Sequence, residues 1–211
     1  MKNTIKNIVL DLGGILLPID YAAPVRAFEQ LGIQKFNEFY SQAQQSHLFD
    51  DFETGKISPQ QFREEIRKVS GLNLTDTTID KAWNSILLSF PTDRKRLLED
   101  LSKNYRIFLL SNTNEIHIQQ FEAEMITTFG NNFFYTVFEK VYYSSRVGLR
   151  KPHREIFDFV LNENQLKPEE TLFLDDSIQH IDGARLSGMH ALWVDTSTTT
   201  TEEVLRKNGL I

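Results

Sequence analysis

Four short apolar runs punctuate the chain, and each stops at a polar residue. They cover residues 5–10 before Asp11, 107–110 before Ser111, 172–174 before Asp175 and 191–194 before Asp195. Runs of this length without alternation fit strands covered on both faces, as in a parallel sheet. Val141, Tyr142 and Tyr143, ending at Ser144, predict a fifth strand. Between the later runs the apolar spacing lengthens to a helical period. Leu97, Leu98 and Leu101 share one side of 93–103; Ile156, Phe157, Val160 and Leu161 do so in 153–162; Ile178, Ile181, Ala184 and Leu186 in 176–189. Strands alternating with such helices predict an α/β protein with a doubly wound, Rossmann-like parallel sheet and right-handed crossovers.

About ninety residues separate the first and second predicted strands, far beyond a normal connection. That stretch carries its own stripes: Val25, Phe28 and Leu31; Phe36, Phe39 and Tyr40; Phe62, Ile66 and Val69; and Ile79, Trp83, Ile86 and Leu87. Ser58 before Pro59 reads as an N-cap followed by a first-turn proline. The pattern predicts a core built from 1–17 and 91–211, with a helical-bundle cap over 18–90. The Thr198–Thr201 run, ahead of Glu202 and Glu203, reads as the approach to a last helix.

Composition narrows the function classes. The chain has 211 residues, 40% of them hydrophobic, with 16 Phe, which suits a substantial core and argues against disorder. The absence of cysteine excludes disulfides, a thiol nucleophile and thiolate metal sites. A formal net charge of -6 counts against a phosphate-backbone partner. No run approaches the ~20 apolar residues of a membrane span, and no small-residue cleavage site follows one. The expectation is a cytoplasmic protein, a monomer or weak homodimer, with neither nucleic acid nor membrane as partner.

In an open α/β sheet, ligands bind beyond the carboxyl ends of the strands. Asp11, Ser111 and the Asp175-Asp176 pair stand at three such ends, and Lys151, just before a helix, has the reach to join them. A carboxylate nucleophile, a hydroxyl, an ammonium and an acidic pair suit phosphoryl chemistry, with carboxylate-held Mg²⁺ screening the anionic charge. Other constellations are weaker. His117, His153, His180 and His190 lack zinc-type spacing with carboxylates, and neither a Gly-x-Ser-x-Gly elbow nor a Gly-x-Gly-x-x-Gly turn is present. Trp83 reads as core rather than a sugar platform, and His190 as a strand entry. The turn Glu53-Thr54-Gly55-Lys56 fits a solvated turn as well as a substrate contact.

Asp11-Leu12-Gly13-Gly14, Ser111-Asn112-Thr113-Asn114, Lys151-Pro152 and Asp175-Asp176-Ser177, in this order and spacing, resemble the haloacid dehalogenase superfamily over the whole chain. Gly148-Leu149-Arg150-Lys151-Pro152, Asp182-Gly183-Ala184 and Gly188-Met189 resemble its phosphatase branch with a helical cap, most nearly bacterial sugar phosphatases of the glucose-1-phosphate type. The resemblance implies Asp11 as nucleophile and metal ligand, and Lys151 as the catalytic cation that also binds phosphate. It implies Ser111 and the Asn112 N–H as phosphate contacts. Asp176 and the Gly13 carbonyl become further Mg²⁺ ligands, with Asp175 as a supporting carboxylate. The implied substrate is a small phosphorylated metabolite, a sugar phosphate, cleaved through an aspartyl-phosphate. A helix cap is the competing reading for Asp176 or Ser177, and for Ser111 and Asn112 it is compatible with phosphate contact.

One position departs from the resembled pattern. Most family phosphatases carry an acid–base aspartate two residues after the nucleophile, where this chain has Gly13. Such groups typically contribute ~10²–10⁴-fold in rate. A good leaving group such as an anomeric phosphate would lessen the loss, and this is the favoured explanation. Asp20, Tyr21 or His153 would be substitutes, and a catalytically weak binding protein is a third account. Metal-free 2-haloacid dehalogenation, which also lacks that aspartate, is the alternative chemistry; the acidic pair argues against it.

Overall fold

The computed structural model describes residues 4–33 and 47–211. In chain order the first elements are β1 (Asn7–Leu10), α1 (Ala22–Gln30), α2 (His47–Glu53), α3 (Pro59–Ser70), α4 (Asp76–Asn84) and α5 (Arg94–Ser102). Then come β2 (Arg106–Ser111), α6 (Glu115–Phe129), α7 (Phe133–Val137), β3 (Lys140–Tyr143), α8 (Ser144–Val147) and α9 (Arg154–Glu163). A 3₁₀ turn (Pro168–Glu170), β4 (Thr171–Asp175), α10 (Ile178–Leu186), β5 (His190–Trp193) and α11 (Thr201–Lys207) complete the fold.

The five strands pair in parallel in the order β3-β2-β1-β4-β5, an α/β doubly wound sheet. In the three central strands β2, β1 and β4 the apolar runs have a direct cause, since both faces are covered, whereas edge strand β5 is partly open, with Trp193 exposed. Ile8, Leu10, Ile107, Leu109, Leu172 and Leu174 face a layer with Leu97, Leu98 and Leu101 of α5 and Phe121, Met125 and Phe129 of α6. Val9, Phe108, Leu110 and Phe173 face α9 and α10, through Ile156, Phe157, Val160, Ile181 and Ala184. β1 lies between β2 and β4, so the winding direction reverses beside it; there the helices on either side diverge and leave a crevice.

Helices α1 to α4 contribute to a third apolar cluster, containing Phe28, Phe49, Phe52, Phe62, Ile66, Ile79 and Trp83, joined by Ile116 of α6. Its rings interlock: Phe52 stacks on Phe62 at 4.4 Å between centroids, Phe49 on Trp83 at 5.2 Å, and Trp83 on His117 at 5.0 Å. Trp83 is core, as its spacing predicts. The N-terminus of α3 forms where Ser58 and Pro59 place it, with Gln61 closing a reciprocal capping box; Thr200 and Glu203 do the same for α11.

Several expectations differ in detail. The Phe36, Phe39 and Tyr40 stripe lies outside the described residues. Val69 is 48% exposed, because Phe62 and Ile66 already fill the contact of α3. Ile86 and Leu87 follow the end of α4 rather than extending it, and Leu87 bridges to Ile19 instead. Ile178 and Leu186 are 57% and 70% exposed at the two ends of α10, which buries Ile181 and Ala184 between them. Helix α6, which no predicted stripe covered, buries Ile118, Phe121, Met125 and Phe129 at helical spacing against the sheet layer, and its first turn also buries Ile116 and His117 towards the third cluster.

Candidate active site

The crevice is built from strand ends. Asp11 follows β1, and its N–H donates to the Leu174 carbonyl at 3.0 Å, continuing the ladder by one step. Ser111 and Asp175 are the last residues of β2 and β4, both buried. Lys151 lies in the loop between α8 and α9, 0% exposed, and its Nζ donates to Asp11 Oδ1 at 2.6 Å, Asp175 Oδ2 at 2.7 Å and the Leu110 carbonyl at 3.0 Å. A buried ammonium is tolerated because each of its three protons has an acceptor, two of them charged. Asn112 fixes the loop, its side chain accepting from the Lys151 N–H and donating to the Lys151 carbonyl, both at 2.9 Å.

Asp175 is saturated: besides Lys151 it accepts from the Ser177 N–H at 2.7 Å and bonds His180 Nδ1 at 2.9 Å. The bond from the Ser177 N–H fixes the turn into α10, whose N-cap is Ser177, without a side-chain cap bond. At α6 the cap is Asn114, not Ser111 or Asn112, accepting from the N–H groups of Ile116 and His117. Trp83 Nε1 donates to that same Asn114 oxygen, tying α4 to the strand end.

Asp11, Asp175 and Asp176 each offer an oxygen within 4.8 Å of the others. Lys151 pairs with the first two, whereas Asp176 makes no ion pair among the described residues. Burial, with the charges of Asp175 and Asp176, pushes the Asp11 carboxyl up to about 8 against the pull of Lys151. Burial and Asp175 push Asp176 up to about 6. Burial also opposes ionisation of Asp175, but Lys151 and His180 outweigh it and hold that carboxyl below its ordinary value. Three carboxylates against one ammonium leave a surplus of negative charge on oxygen donors alone, which suits a hard divalent cation. Close approach is secured by Gly14, whose φ is +73° and where a Cβ would lie 2.2 Å from Asp176 Oδ2.

These groups open into a cavity of about 750 Å³ that Asp11, Gly13, Ser111, Asn112, Lys151 and Asp176 line from the sheet. Glu53 and Trp83 line it from the segment between β1 and β2. The three substitutes for the missing aspartate fare differently. Asp20 is an exposed ion pair with Arg26 at 2.6 Å, its carboxyl held low by that hydrogen bond, whereas Tyr21 and His153 line the cavity. The fold also brings in His180, Arg150 and Glu53, the last from the turn that fitted solvent as well as a substrate contact. His180 follows the acidic pair by one helical turn, and Arg150 sits inside the quoted lysine motif, so both were within reach of the pattern.

A match to the haloacid dehalogenase-like hydrolases spans residues 29–194. The chain is 32% identical over 180 residues to D-ribitol-5-phosphate phosphatase from Bacteroides thetaiotaomicron, covering 84% of this chain and 85% of that one. A haloacid dehalogenase family enzyme from the same organism, solved with magnesium and inorganic phosphate, superposes with a TM-score of 0.84 at 34% identity, covering 92% of this chain and 96% of that one. A further family hydrolase, from Porphyromonas gingivalis, gives 0.87 at 30% identity over 97% and 98% of the two chains. With strand order, motif positions and relatives in agreement, the chain is an enzyme and belongs to the haloacid dehalogenase-like hydrolases.

Proposed function

We propose that this enzyme is a Mg²⁺-dependent phosphomonoester hydrolase acting on a small phosphorylated metabolite, a sugar or polyol phosphate. The observation that carries the reading is the Asp11–Lys151–Asp175 chain of ion pairs with the unpaired Asp176 beside it. The named relative, a ribitol-phosphate phosphatase, and the magnesium and phosphate in a similar structure support it.

Asp11 would attack phosphorus in line, forming an aspartyl-phosphate that water then hydrolyses. Lys151 holds Asp11 in place and offers its charge to the phosphoryl group, while the Ser111 hydroxyl and the Asn112 N–H would bind the equatorial oxygens. Asp11, the Gly13 carbonyl and Asp176 would hold Mg²⁺, which supplies positive charge against that developing on the transferring group. Residues 18–90 would act as a cap, covering the crevice and selecting the leaving group. Asp176, with no cation of its own, favours this chemistry over metal-free dehalogenation.

The test is a panel of sugar and polyol phosphates, nitrophenyl phosphate and chloropropionate, each with and without Mg²⁺ and with Asp11→Asn as control. Phosphate release requiring both Mg²⁺ and Asp11 is the expected outcome; halide release without metal would overturn the reading.

A further inference from the structure

We propose that Glu53, reaching the cavity from α2, protonates the leaving oxygen and later takes the proton from the attacking water, in place of the side chain that Gly13 lacks. The proposal rests on the phosphatase reading above. Asp11 enters the cavity from the sheet and Glu53 from the helical insertion, and an in-line displacement needs its nucleophile and its leaving oxygen on opposite sides.

The carboxyl is held but not used up. Its Oε2 lies 3.0 Å from Arg150 Nη2, yet it is shielded from water and accepts no hydrogen bond, and Arg150 Nε is likewise buried without a partner. Arg150 directs its other terminal nitrogen to Asp50, one turn earlier on α2. Among the described residues, Arg150 and Lys151 are the cations that face Glu53. As a whole the Glu53 side chain is 18% exposed and lines the cavity. Burial raises this carboxyl to about 7, with Lys151 opposing, which is where an acid–base group works best at neutral pH.

The backbone keeps the group aimed. Gly55, at φ +70°, lets the turn after α2 press on the core so closely that a Cβ there would sit 2.1 Å from the Ser145 carbonyl. Among the other candidates, Asp20 is paired with Arg26 and His180 Nδ1 with Asp175, while Tyr21 and His153 share the cavity lining with Glu53.

The step balances. Asp11 Oδ bonds to phosphorus as the P–O bond to the alcohol breaks; its electron pair goes to the alcohol oxygen, which takes the Glu53 proton. Water then attacks phosphorus and gives a proton to Glu53. The P–O bond to Asp11 breaks, and its electrons return to the carboxylate.

The experiment compares kcat/KM, which ends at departure of the alcohol, for an alkyl phosphate and for nitrophenyl phosphate with Mg²⁺ present. Glu53→Gln should lower the alkyl-to-aryl ratio by about 30- to 100-fold, because only the poor leaving group needs the proton. Adding Gly13→Asp, where a Cβ meets only the flexible tip of Ile19 at 3.2 Å, should restore much of that ratio. In the wild type, kcat/KM for the alkyl ester should fall above about pH 7 along a limb that the aryl ester lacks; this decides the matter even if Glu53→Gln does not fold. An unchanged ratio, or the same limb on both esters, would overturn the role of Glu53 alone. No phosphate release by the wild type from any ester would overturn the phosphatase reading, and this assignment with it.

Discussion

Lys151 is a cation with no exposure to water, shared between two buried acids, and removing it leaves Asp11 uncompensated and Asp175 with only His180 and the Ser177 N–H. Lys151→Met should cost about 3–5 kcal/mol in stability as well as activity, since breaking a buried pair strands its partners; urea melts at fixed pH measure it. Asp11 behaves oppositely. Its proton leaves near the ordinary carboxylate value in the unfolded chain but near 8 in the fold, so between those values the folded state binds more protons. Stability of the metal-free enzyme should therefore fall as pH rises from about 5 to 8. Asp11→Asn, or saturating Mg²⁺, should flatten that slope in thermal melts while the variant loses turnover. A pH-independent melt of the metal-free wild type would contradict the assignment. Gly14→Ala should weaken Mg²⁺ binding by tenfold or more in calorimetric titration, because its Cβ would displace Asp176. At this scale the acidic residues and Lys151 were legible because each stands where an apolar run stops or a motif is contiguous. Glu53 was legible only as part of a turn that fitted solvent as well as substrate: its setting comes from Arg150, ninety-seven residues away by numbering, and no local spacing carries that.

Elements show a different division. Helix α3 was legible at its start because Ser58, Pro59 and Gln61 satisfy their own backbone locally. Ser58→Ala should cost about 1 kcal/mol with turnover unaltered, a contrast that paired melting and activity assays can read. Helix α6 was not predicted although Ile118, Phe121, Met125 and Phe129 keep a helical spacing, because Ile116 and His117, buried in the first turn on another face, blur the stripe. Its first turn is also where insertion and core meet: Trp83 stacks on His117 and donates to Asn114, while His117 Nε2 lies 3.3 Å from the Trp83 carbonyl. Trp83→Ala should cost about 3–5 kcal/mol through the cavity it leaves, with activity falling alongside because Asn114 sits three residues from Ser111. Loss of stability with full activity would show that this joint and the catalytic strand end are independent.

For the whole molecule, fold class was legible because strands buried on both faces leave unbroken apolar runs that no other architecture of this size produces so regularly. Strand order was not, since nothing in β1 names its neighbours. Those neighbours have a temporal consequence. β1 is translated first, yet its two partners arrive late: Leu10 pairs with Leu109 on one side and with Leu174 on the other. The middle of the sheet must wait for both flanks, and ordering such distant segments is slow. A nascent chain that has emerged only through α9 still has β1 with one edge open, exposing Leu10 and Asp11 to whatever the ribosome exit offers. Chains stalled before β4 should thus be cut readily by protease, whereas those stalled well beyond β5 should resist. The residue that would attack phosphorus is made before both strands that flank it and is enclosed only after the second.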